Sequence, residues 1–248
     1  FTHGLWPGLL IPFSWGANSV ISRLPPSAEN VLEILQRSRA TKLITVPTIV
    51  KNMLLHMEQT GERYDFSALG LAISASEKMP PEIFEKFHRM VGVELMDSIG
   101  SSEITYEWIA NRPGEMRRGS LGKPVFGCGV KLMDDDGNEV TEPGIDGECW
   151  IKSPTTCFYY WRKLAKTRET FLGEWSRTGD MLRFDEDGFF WFSGRSDDVF
   201  KVRGLWVSPI EVEAAITEHD AVLEAAVVSY EDADGLTQPK AFIVLRPG

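Results

Sequence analysis

The sequence has no apolar run long enough to cross a membrane. A helix that spans a bilayer needs about 20 consecutive, mostly apolar residues. The most apolar region, residues 5–21, is interrupted by proline, serine, glycine and asparagine. The whole chain has 248 residues, of which 43% are hydrophobic and 25% charged, an ordinary globular composition. We therefore expect a protein without a membrane span.

Cysteine is also scarce. Only Cys128, Cys149 and Cys157 are present, and no two of them have the C-x-x-C spacing. This pattern excludes a disulfide framework and a C-x-x-C metal site, and it is typical of reduced thiols in a cytoplasmic protein. The first residue is Phe1 rather than methionine, so targeting at this end stays open.

Basic residues are outnumbered by acidic ones. The 26 lysines and arginines face 36 aspartates and glutamates, which gives a net charge of −10. A general nucleic-acid binder needs a basic face that displaces counterions, so we expect no nucleic-acid partner. A nucleotide site remains compatible with this charge, because a few backbone amides, one arginine and a magnesium ion are enough to bind a phosphate chain.

Residues 1–112 alternate between predicted helices and strands, the pattern of an α/β layer with parallel strands. Ser27 and Pro47 have the residue types that begin helices, and residues 81–89 read as a third helix. The predicted strands are 42–46, 69–74 and 93–96, the last followed by a polar turn over 97–103. Ligands of such sheets bind beyond the carboxyl ends of the strands, so we expect the site after Ile73 and Met96.

The rest of the chain changes character twice. Residues 113–195 are rich in glycine and hairpin signals such as Asp136-Gly137, which predicts an antiparallel all-β module, a small barrel or sheet. Residues 197–248 begin a further α+β domain. There the sequence SPIE at 208–211 predicts a capping box with proline at the first helical position. That helix is expected to reach about His219, with strands at 222–229 and 241–245.

Three short segments carry candidate chemistry, although each also has a plain structural interpretation. The IGSSE segment at 99–103 is either a solvated turn or a phosphate and Mg²⁺ site, with hydroxyls at Ser101 and Ser102 and a hard oxygen at Glu103. The RTGD segment at 177–180 is either a turn before a strand or a ribose site, because a carboxylate can accept hydrogen bonds from both ribose hydroxyls.

The third segment, GRSDDVFKVRG at 194–204, joins the all-β module to the last domain. Its charges could simply be solvated. A charged, glycine-bounded junction between two modules also suits a hinge that contacts an anionic ligand. Arg195 would make that contact, because a guanidinium is always charged and has a fork of donors.

Together these segments resemble the adenylate-forming superfamily of acyl-CoA synthetases, luciferases and peptide-synthetase adenylation domains. The matching stretches, in order, are SASE at 74–77, GSSE at 100–103, GECWI at 147–151, RTGD at 177–180, GRSDD at 194–198 with Gly204, and PIEVE at 209–213. Several motifs in register make the resemblance specific. Within the superfamily the sequence is similar to those of benzoate-CoA ligases, through the segments FLGEW at 171–175 and HDAVLEAAVV at 219–228.

The resemblance implies a fold and a set of site residues. The chain would hold part of the family's N-terminal domain, with its parallel α/β layer and small β-barrel, and the start of an α+β C-terminal lid. Glu103 resembles the magnesium ligand, and Ser102 and Arg195 would join it in catalysis. The residues implied for ATP or AMP are Ala75, Ser76, Glu77, Asp97, Ser98, Ile99, Gly100, Ser102, Asp180 and Arg195. Asp197 resembles the hinge of the lid, and Gly204 the loop that lines the coenzyme A tunnel.

The implied reaction uses ATP, Mg²⁺ and coenzyme A to convert a small carboxylic acid to acyl-AMP and then to acyl-CoA. The residues implied for the acyl pocket are His3, Gly4, Ser74, Gly100 and Tyr106. Phe1 is not followed by the aspartate that binds a substrate ammonium in peptide-synthetase domains, which favours a neutral acid. Benzoate-type relatives carry histidine where Tyr106 stands, so a substituted aryl or a short-to-medium acyl group also stays open. His3 could instead be a core residue.

Two family elements lie outside residues 1–248, the phosphate loop and the catalytic lysine. We therefore expect this chain alone to be inactive, either as a trimmed chain or as a degenerate gene. Three alternatives stay open: a non-catalytic nucleotide-binding module, a pseudoenzyme, and an adenylation domain that transfers to a carrier protein. A homodimer is also kept open.

Overall fold

The computed structural model describes residues 2–75, 79, 81–196, 198–202, 205–232 and 236–246, without the side chains of 2, 3, 81, 205 and 206. The chain divides into two compact units. Unit 1 comprises residues 1–129 and 153–158, and unit 2 comprises 130–152 and 159–248. The predicted division into 1–112, 113–195 and 197–248 stays a prediction.

Unit 1 contains a five-stranded mixed sheet with strand order β1-β2-β3-β4-β5. Its strands are β1 Lys42–Thr45, β2 Leu71–Ser74, β3 Leu95–Gly100, β4 Glu107–Ala110 and β5 Lys123–Pro124. The pairs β1–β2 and β2–β3 are parallel, and the pairs β3–β4 and β4–β5 are antiparallel. The parallel layer predicted from the alternating pattern is therefore confirmed, with an antiparallel extension that the sequence did not indicate.

The helices of unit 1 begin where the sequence predicts. The Ser27 hydroxyl accepts a hydrogen bond from the Asn30 amide, and Pro47 lies in the first turn of its helix. The helices are α1 Thr2–Leu5, α2 Ile11–Ser14, α3 Ala28–Ser38, α4 Pro47–Thr60 and α5 Pro81–Val91, with a π-helical segment Trp6–Leu10 between α1 and α2. One face of α5 is apolar and buried, with Phe84 2% and Phe87 0% exposed. That face packs into a core formed with α3, α4 and the parallel strands.

The predicted polar turn at 97–103 is wrong over its first half. Strand β3 continues through Asp97, Ser98 and Ile99 to Gly100, because β4 pairs antiparallel with this part of the strand. A 3₁₀ turn, Ser102–Ile104, follows. The candidate residues at 97–100 therefore lie on a strand flanked by β2 and β4.

Unit 2 contains an antiparallel sheet with strand order β10-β9-β7-β6, with β8 paired to β9. Its strands are β6 Gly129–Met133, β7 Gly147–Lys152, β8 Phe171–Leu172, β9 Trp175–Phe184 and β10 Phe190–Arg195, with helix α6 Leu164–Thr170 between β7 and β8. This sheet confirms the all-β module. The interpretation of 177–180 as a turn is wrong, since these residues lie inside β9, between β7 and β10.

The last elements also belong to unit 2. They are β11 Phe200–Val202, β12 Leu205–Val207, α7 Pro209–Thr217, β13 Val222–Glu231 and β14 Thr237–Leu245. The Ser208 hydroxyl caps α7 by accepting from the Glu211 amide at 3.4 Å, as predicted. The Glu211 carboxylate, however, pairs with Arg183 at 2.8 Å. The strands β13 and β14 form a longer hairpin than the sequence indicated.

No helix in the described part of the chain is both long enough and apolar enough to cross a membrane.

Candidate functional site

Three buried polar residues form a row at the carboxyl ends of the parallel strands in unit 1. Thr45, Ser74 and Asp97 are partners in register on β1, β2 and β3 and are 8%, 0% and 6% exposed. The Ser74 hydroxyl makes no hydrogen bond within the described residues. A buried polar atom usually has a partner, so the row has the character of a ligand-facing edge rather than of a packed core. The sequence predicted Ser74 and Asp97 but not Thr45.

Asp97 is the most strongly perturbed acid of this edge. Burial raises the pKa of its carboxyl to about 8, while the Ser98 amide donates to Oδ1 at 2.9 Å and nearby Glu107 adds repulsion. Asn111 fixes the backbone here, because its Nδ2 donates to the Asp97 carbonyl at 3.0 Å and to the Ser120 carbonyl at 2.7 Å. A carboxyl that stays protonated near neutral pH can both donate and accept hydrogen bonds.

Gly100 is required by packing against the backbone of the next strand. A Cβ at this position would lie 2.3 Å from the Tyr106 carbonyl oxygen and 2.8 Å from the Glu107 Cα. The Ser101 amide donates to the same carbonyl at 2.9 Å. The close approach of the β4 backbone is thus a structural reason for glycine at this position.

Sequence reasoning missed Glu107, which lies among the candidate residues. The Ser98 hydroxyl donates to Glu107 Oε1 at 2.6 Å. Burial raises the pKa of Glu107 and of Tyr106, and for Tyr106 the neighbouring carboxyl adds to the effect. A lone glutamate after a tyrosine carries no pattern in one sequence, so no signal pointed to it.

The turn that carries Ser102 and Glu103 is held by a later segment of unit 1. The Cys157 amide donates to the Glu103 carbonyl at 2.8 Å, and the Thr155 hydroxyl donates to the Ile104 carbonyl at 2.7 Å. The Thr105 hydroxyl donates back to the Thr155 carbonyl at 3.2 Å. Thr105 has a φ of 78°, a strained conformation that these bonds help to fix. No local pattern predicts this long-range contact.

Glu103 is a partly exposed carboxylate beyond the end of β3. The described residues contain no cluster of three or more His, Cys, Asp or Glu side chains with metal-binding geometry. Magnesium usually takes one or two protein carboxylates and completes its shell with phosphate oxygens and water. A single glutamate on a turn that also carries hydroxyls fits that donor set.

Unit 2 holds the second group of candidates, on β9 and β10. Arg195 Nη1 lies 2.6 Å from Asp180 Oδ1 and 3.0 Å from the Thr178 carbonyl. Gly179 has a φ of 72°, and a Cβ there would lie 2.9 Å from an Arg195 guanidinium nitrogen. The glycine therefore leaves space for the arginine.

Asp180 is the buried member of its ion pair with Arg195. Burial raises the pKa of its carboxyl, and the Arg195 guanidinium opposes that rise. The Thr178 hydroxyl donates to the Cys149 carbonyl at 2.9 Å and accepts from the Asp180 amide at 3.0 Å, which orders the strand below the carboxyl. Burial also raises the pKa of the Cys149 thiol, so this cysteine is an inert part of the core.

The remaining predicted residues fall into two groups. Ala75 is buried directly after β2, Ile99 is partly exposed on β3, and Gly4 lies in α1, outside the sheet. The second group comprises Ser76, Glu77, Asp197, Gly204 and the His3 side chain, all of which lie outside the described residues. The structure thus brings Ser74, Asp97, Ser98, Gly100 and Tyr106 together on β2 and β3 and just before β4.

The fold agrees with comparisons against known proteins. Residues 1–161 match the family model described as AMP-binding enzyme, and residues 211–248 match the model of the AMP-binding enzyme C-terminal domain. The chain belongs to the AMP-binding enzyme family.

Relatives in this family are similar along the whole chain. The chain is 42% identical to the benzoate–CoA ligase of Thauera aromatica, with 100% of the chain and 47% of that enzyme covered. It superimposes on the anthranilate CoA ligase AuaEII in complex with anthranoyl-AMP with a TM-score of 0.89 and 41% identity, covering 100% of the chain and 48% of that structure. For a benzoate CoA ligase from Burkholderia xenovorans LB400 the TM-score is 0.84 at 38% identity, with 99% and 49% covered. The chain thus spans about half the length of these relatives.

Proposed function

We propose that the protein carrying this chain activates an aromatic carboxylic acid with ATP and transfers the acyl group to coenzyme A. The observation that carries the proposal is the likeness along the whole chain to a ligase structure that holds anthranoyl-AMP. The row of buried polar residues at the carboxyl edge of the sheet in unit 1 is consistent with a ligand at that edge.

In unit 1, Ala75 with Ser76 and Glu77 would lie along the adenine, with Asp97, Ser98 and Ile99 on β3 as its other neighbours. The buried Asp97 carboxyl can serve as donor or acceptor, as recognition of a purine edge requires.

In unit 2, Asp180 would accept hydrogen bonds from the ribose hydroxyls. Its carboxyl accepts from Arg195 at Oδ1, which leaves acceptor capacity for a ligand. The Arg195 guanidinium is half-exposed and has further donors for an oxygen of the ribose or phosphate region.

The first step would join the acid to the α-phosphorus of ATP. A carboxylate oxygen attacks that phosphorus, the bond to the β-phosphate oxygen breaks, and pyrophosphate leaves. Ser102 would donate its hydroxyl to a phosphate oxygen, and Glu103 would hold the Mg²⁺ that screens phosphate charge when bound. The second step exchanges AMP for coenzyme A, because the thiol attacks the acyl carbon and AMP departs. Asp197 as a hinge and Gly204 beside the thiol tunnel are proposed for this step.

The acyl group would lie against the same edge of the sheet. Ser74 at the end of β2, Gly100 at the end of β3 and Tyr106 before β4 would form its pocket, with His3 and Gly4 at its entrance. The partly exposed Tyr106 offers an aromatic surface, which suits an aryl acid.

Exchange of labelled pyrophosphate into ATP tests the first step. We expect exchange that depends on benzoate or 2-aminobenzoate, weaker exchange with hexanoate, and none with phenylalanine. Exchange without any acid would contradict the proposal, as would stimulation by the amino acid alone. Wild-type protein without Mg²⁺ is the matched control and should show background exchange only.

A further inference from the structure

The turn that carries Ser102 and Glu103 has little internal structure to hold it in place. It is a single 3₁₀ turn, Ser102–Ile104, closed by a hydrogen bond from the Thr105 amide to the Ser102 carbonyl at 3.3 Å. Hydrogen bonds of such turns have poor geometry. Thr105, directly after the turn, has a φ of 78°, which is a costly conformation for a β-branched residue. The surroundings must therefore fix the shape of the turn.

Residues 153–158 supply hydrogen bonds to this turn. They belong to unit 1, whereas the chain on both sides of them belongs to unit 2. Each of them is exposed or partly exposed, and Phe158 is 91% exposed. Because the segment buries little apolar surface, its position depends on polar contacts. One of these joins the Cys157 amide to the Glu103 carbonyl at 2.8 Å.

Thr155 and Thr105 form two reciprocal bonds between the segment and the turn. The Thr155 hydroxyl donates to the Ile104 carbonyl at 2.7 Å, and the Thr105 hydroxyl donates to the Thr155 carbonyl at 3.2 Å. Because the Thr155 proton is directed at Ile104, the Ser153 hydroxyl is the donor in its 2.9 Å contact with Thr155 Oγ1. The side chain of Thr155 is thus oriented on one side by Ser153 and fastens the turn on the other.

We propose that Thr155 is a positioning residue that fixes Ser102 and Glu103 for the phosphate chain of ATP. This inference rests on the proposed function, in which those two residues contact a phosphate oxygen and Mg²⁺. Thr155 acts through the backbone of the turn and does not contact the nucleotide. Without its hydrogen bond the turn samples a wider set of positions, so the phosphates bind more weakly while the nucleoside binds as before.

Comparison of ATP with adenosine separates this role from a general effect on stability. Thr155→Val removes the hydroxyl and keeps the shape, so the Kd for ATP in the presence of Mg²⁺ should rise about five- to tenfold, as loss of one hydrogen bond predicts. The Kd for adenosine, which has no phosphate, should stay within about twofold of wild type. Calorimetric titration of the protein that carries this chain measures ATP, and competition against ATP measures adenosine.

Three further variants serve as controls. Thr155→Ser keeps the hydroxyl and should bind ATP within about twofold of wild type. Thr60→Val should also bind ATP as wild type does. It removes a hydroxyl that donates to the His56 carbonyl at 2.9 Å, at the end of α4 opposite to the end that follows β1. Thr105→Val removes the reciprocal bond and should weaken ATP but not adenosine.

The outcomes distinguish the inference from the proposed function. If wild type binds no ATP, the proposed function fails and takes this inference with it. If wild type binds ATP and Thr155→Val binds it as tightly, the inference alone is overturned. It is also overturned if Thr155→Val weakens adenosine as much as ATP, or if Thr155→Ser is as weak as Thr155→Val. Should Thr155→Val fail to fold, an unchanged Kd for ATP in Thr105→Val would contradict it.

Discussion

Arg195 and Asp180 form an ion pair in which only one partner reaches solvent. Their closest atoms are 2.6 Å apart, and the side chains are 49% and 9% exposed respectively. The arginine therefore neutralises a buried carboxylate and is itself half-exposed. This arrangement joins the residue proposed for the ribose to the residue proposed for the phosphate region.

Removing the guanidinium should destabilise unit 2. Arg195→Met leaves the buried Asp180 without its cation, and breaking a buried pair in this way costs about 3–5 kcal/mol, less here because Arg195 is half-exposed. The loss should be smaller at pH 5 than at pH 8, since burial raises the pKa of Asp180 and the unpaired carboxyl can take up a proton. Urea unfolding of wild type and Arg195→Met at both pH values measures this loss of stability.

The matched control for that experiment is Lys152→Met on β7. Lys152 pairs with Glu174 at 2.8 Å, but the two side chains are 48% and 73% exposed. An exposed pair contributes about 0–1 kcal/mol, so the free energy of unfolding of the control variant should fall little at either pH. Equal losses in both variants would contradict the special role of the Asp180 pair.

Asp97 should make the protein less stable as the pH rises. Its folded pKa is about 8, above the usual value near 3.9 of an unfolded aspartate, so the folded state holds the extra proton between these values. The contribution of this bound proton to stability is therefore fully present below about pH 4 and is lost progressively up to about pH 8, in total on the order of 5 kcal/mol. Asp97→Asn should abolish most of this dependence in urea unfolding.

Asp65→Asn is the control, because the contribution of Asp65 to stability changes with pH in the opposite direction to that of Asp97. Asp65 is exposed, and its hydrogen bonds to Ser67 lower its pKa. The wild-type residue thus contributes stability above the pKa of an unfolded aspartate, and the contribution disappears as the pH falls through the folded value. A stability–pH curve for Asp97→Asn that is parallel to wild type between pH 4 and 8 would count against a buried, proton-binding Asp97.

Gly100→Ala should disturb the site through the backbone. The new Cβ would lie 2.3 Å from the Tyr106 carbonyl oxygen, so β3 and β4 must separate. Forced overpacking of this kind costs about 1–3 kcal/mol or more. Gly70→Ala is the control, because its Cβ would have only the Thr41 carbonyl oxygen nearby, at 3.9 Å. Similar thermal midpoints for the two variants would show that the contact between Gly100 and Tyr106 is not tight.

Asp180→Ala should affect ATP more than the acid. The proposed ribose contact is a charged hydrogen bond worth about 1.5–3 kcal/mol, which corresponds to a rise of about ten- to hundredfold in KM for ATP. Steady-state kinetics of the protein that carries this chain, with each substrate varied in turn, measures both values. Equal changes for ATP and acid would make Asp180 a structural residue of β9.

Much of the fold could be predicted from local patterns. Ser27, Pro47 and Ser208 begin helices as expected, because capping depends on a few neighbouring residues. The extension of β3 through Asp97 could not be predicted, since it depends on pairing with β4, which follows in the chain. A turn was one of the two interpretations left open for the RTGD segment. It proved wrong for the same reason, because β7 and β10 hold the segment extended.

In the candidate site, too, residues in local patterns could be predicted and residues that act through distant contacts could not. The motif residues on β3 and β9 were found because each lies in a recognisable short pattern. Glu107 and Thr155 were missed, because their roles arise from contacts across strands and across 51 residues of sequence respectively. Such contacts leave no periodic or spacing signal in a single sequence.

The fate of the carboxylate oxygen tests the central claim most directly. Benzoate labelled with ¹⁸O in both carboxyl oxygens is incubated with ATP, Mg²⁺, coenzyme A and the protein that carries this chain, and the AMP is analysed by mass spectrometry. Attack of the carboxylate on the α-phosphorus predicts one ¹⁸O atom in each AMP and benzoyl-CoA in equal amount. Unlabelled AMP, or label in pyrophosphate or inorganic phosphate, would contradict the account.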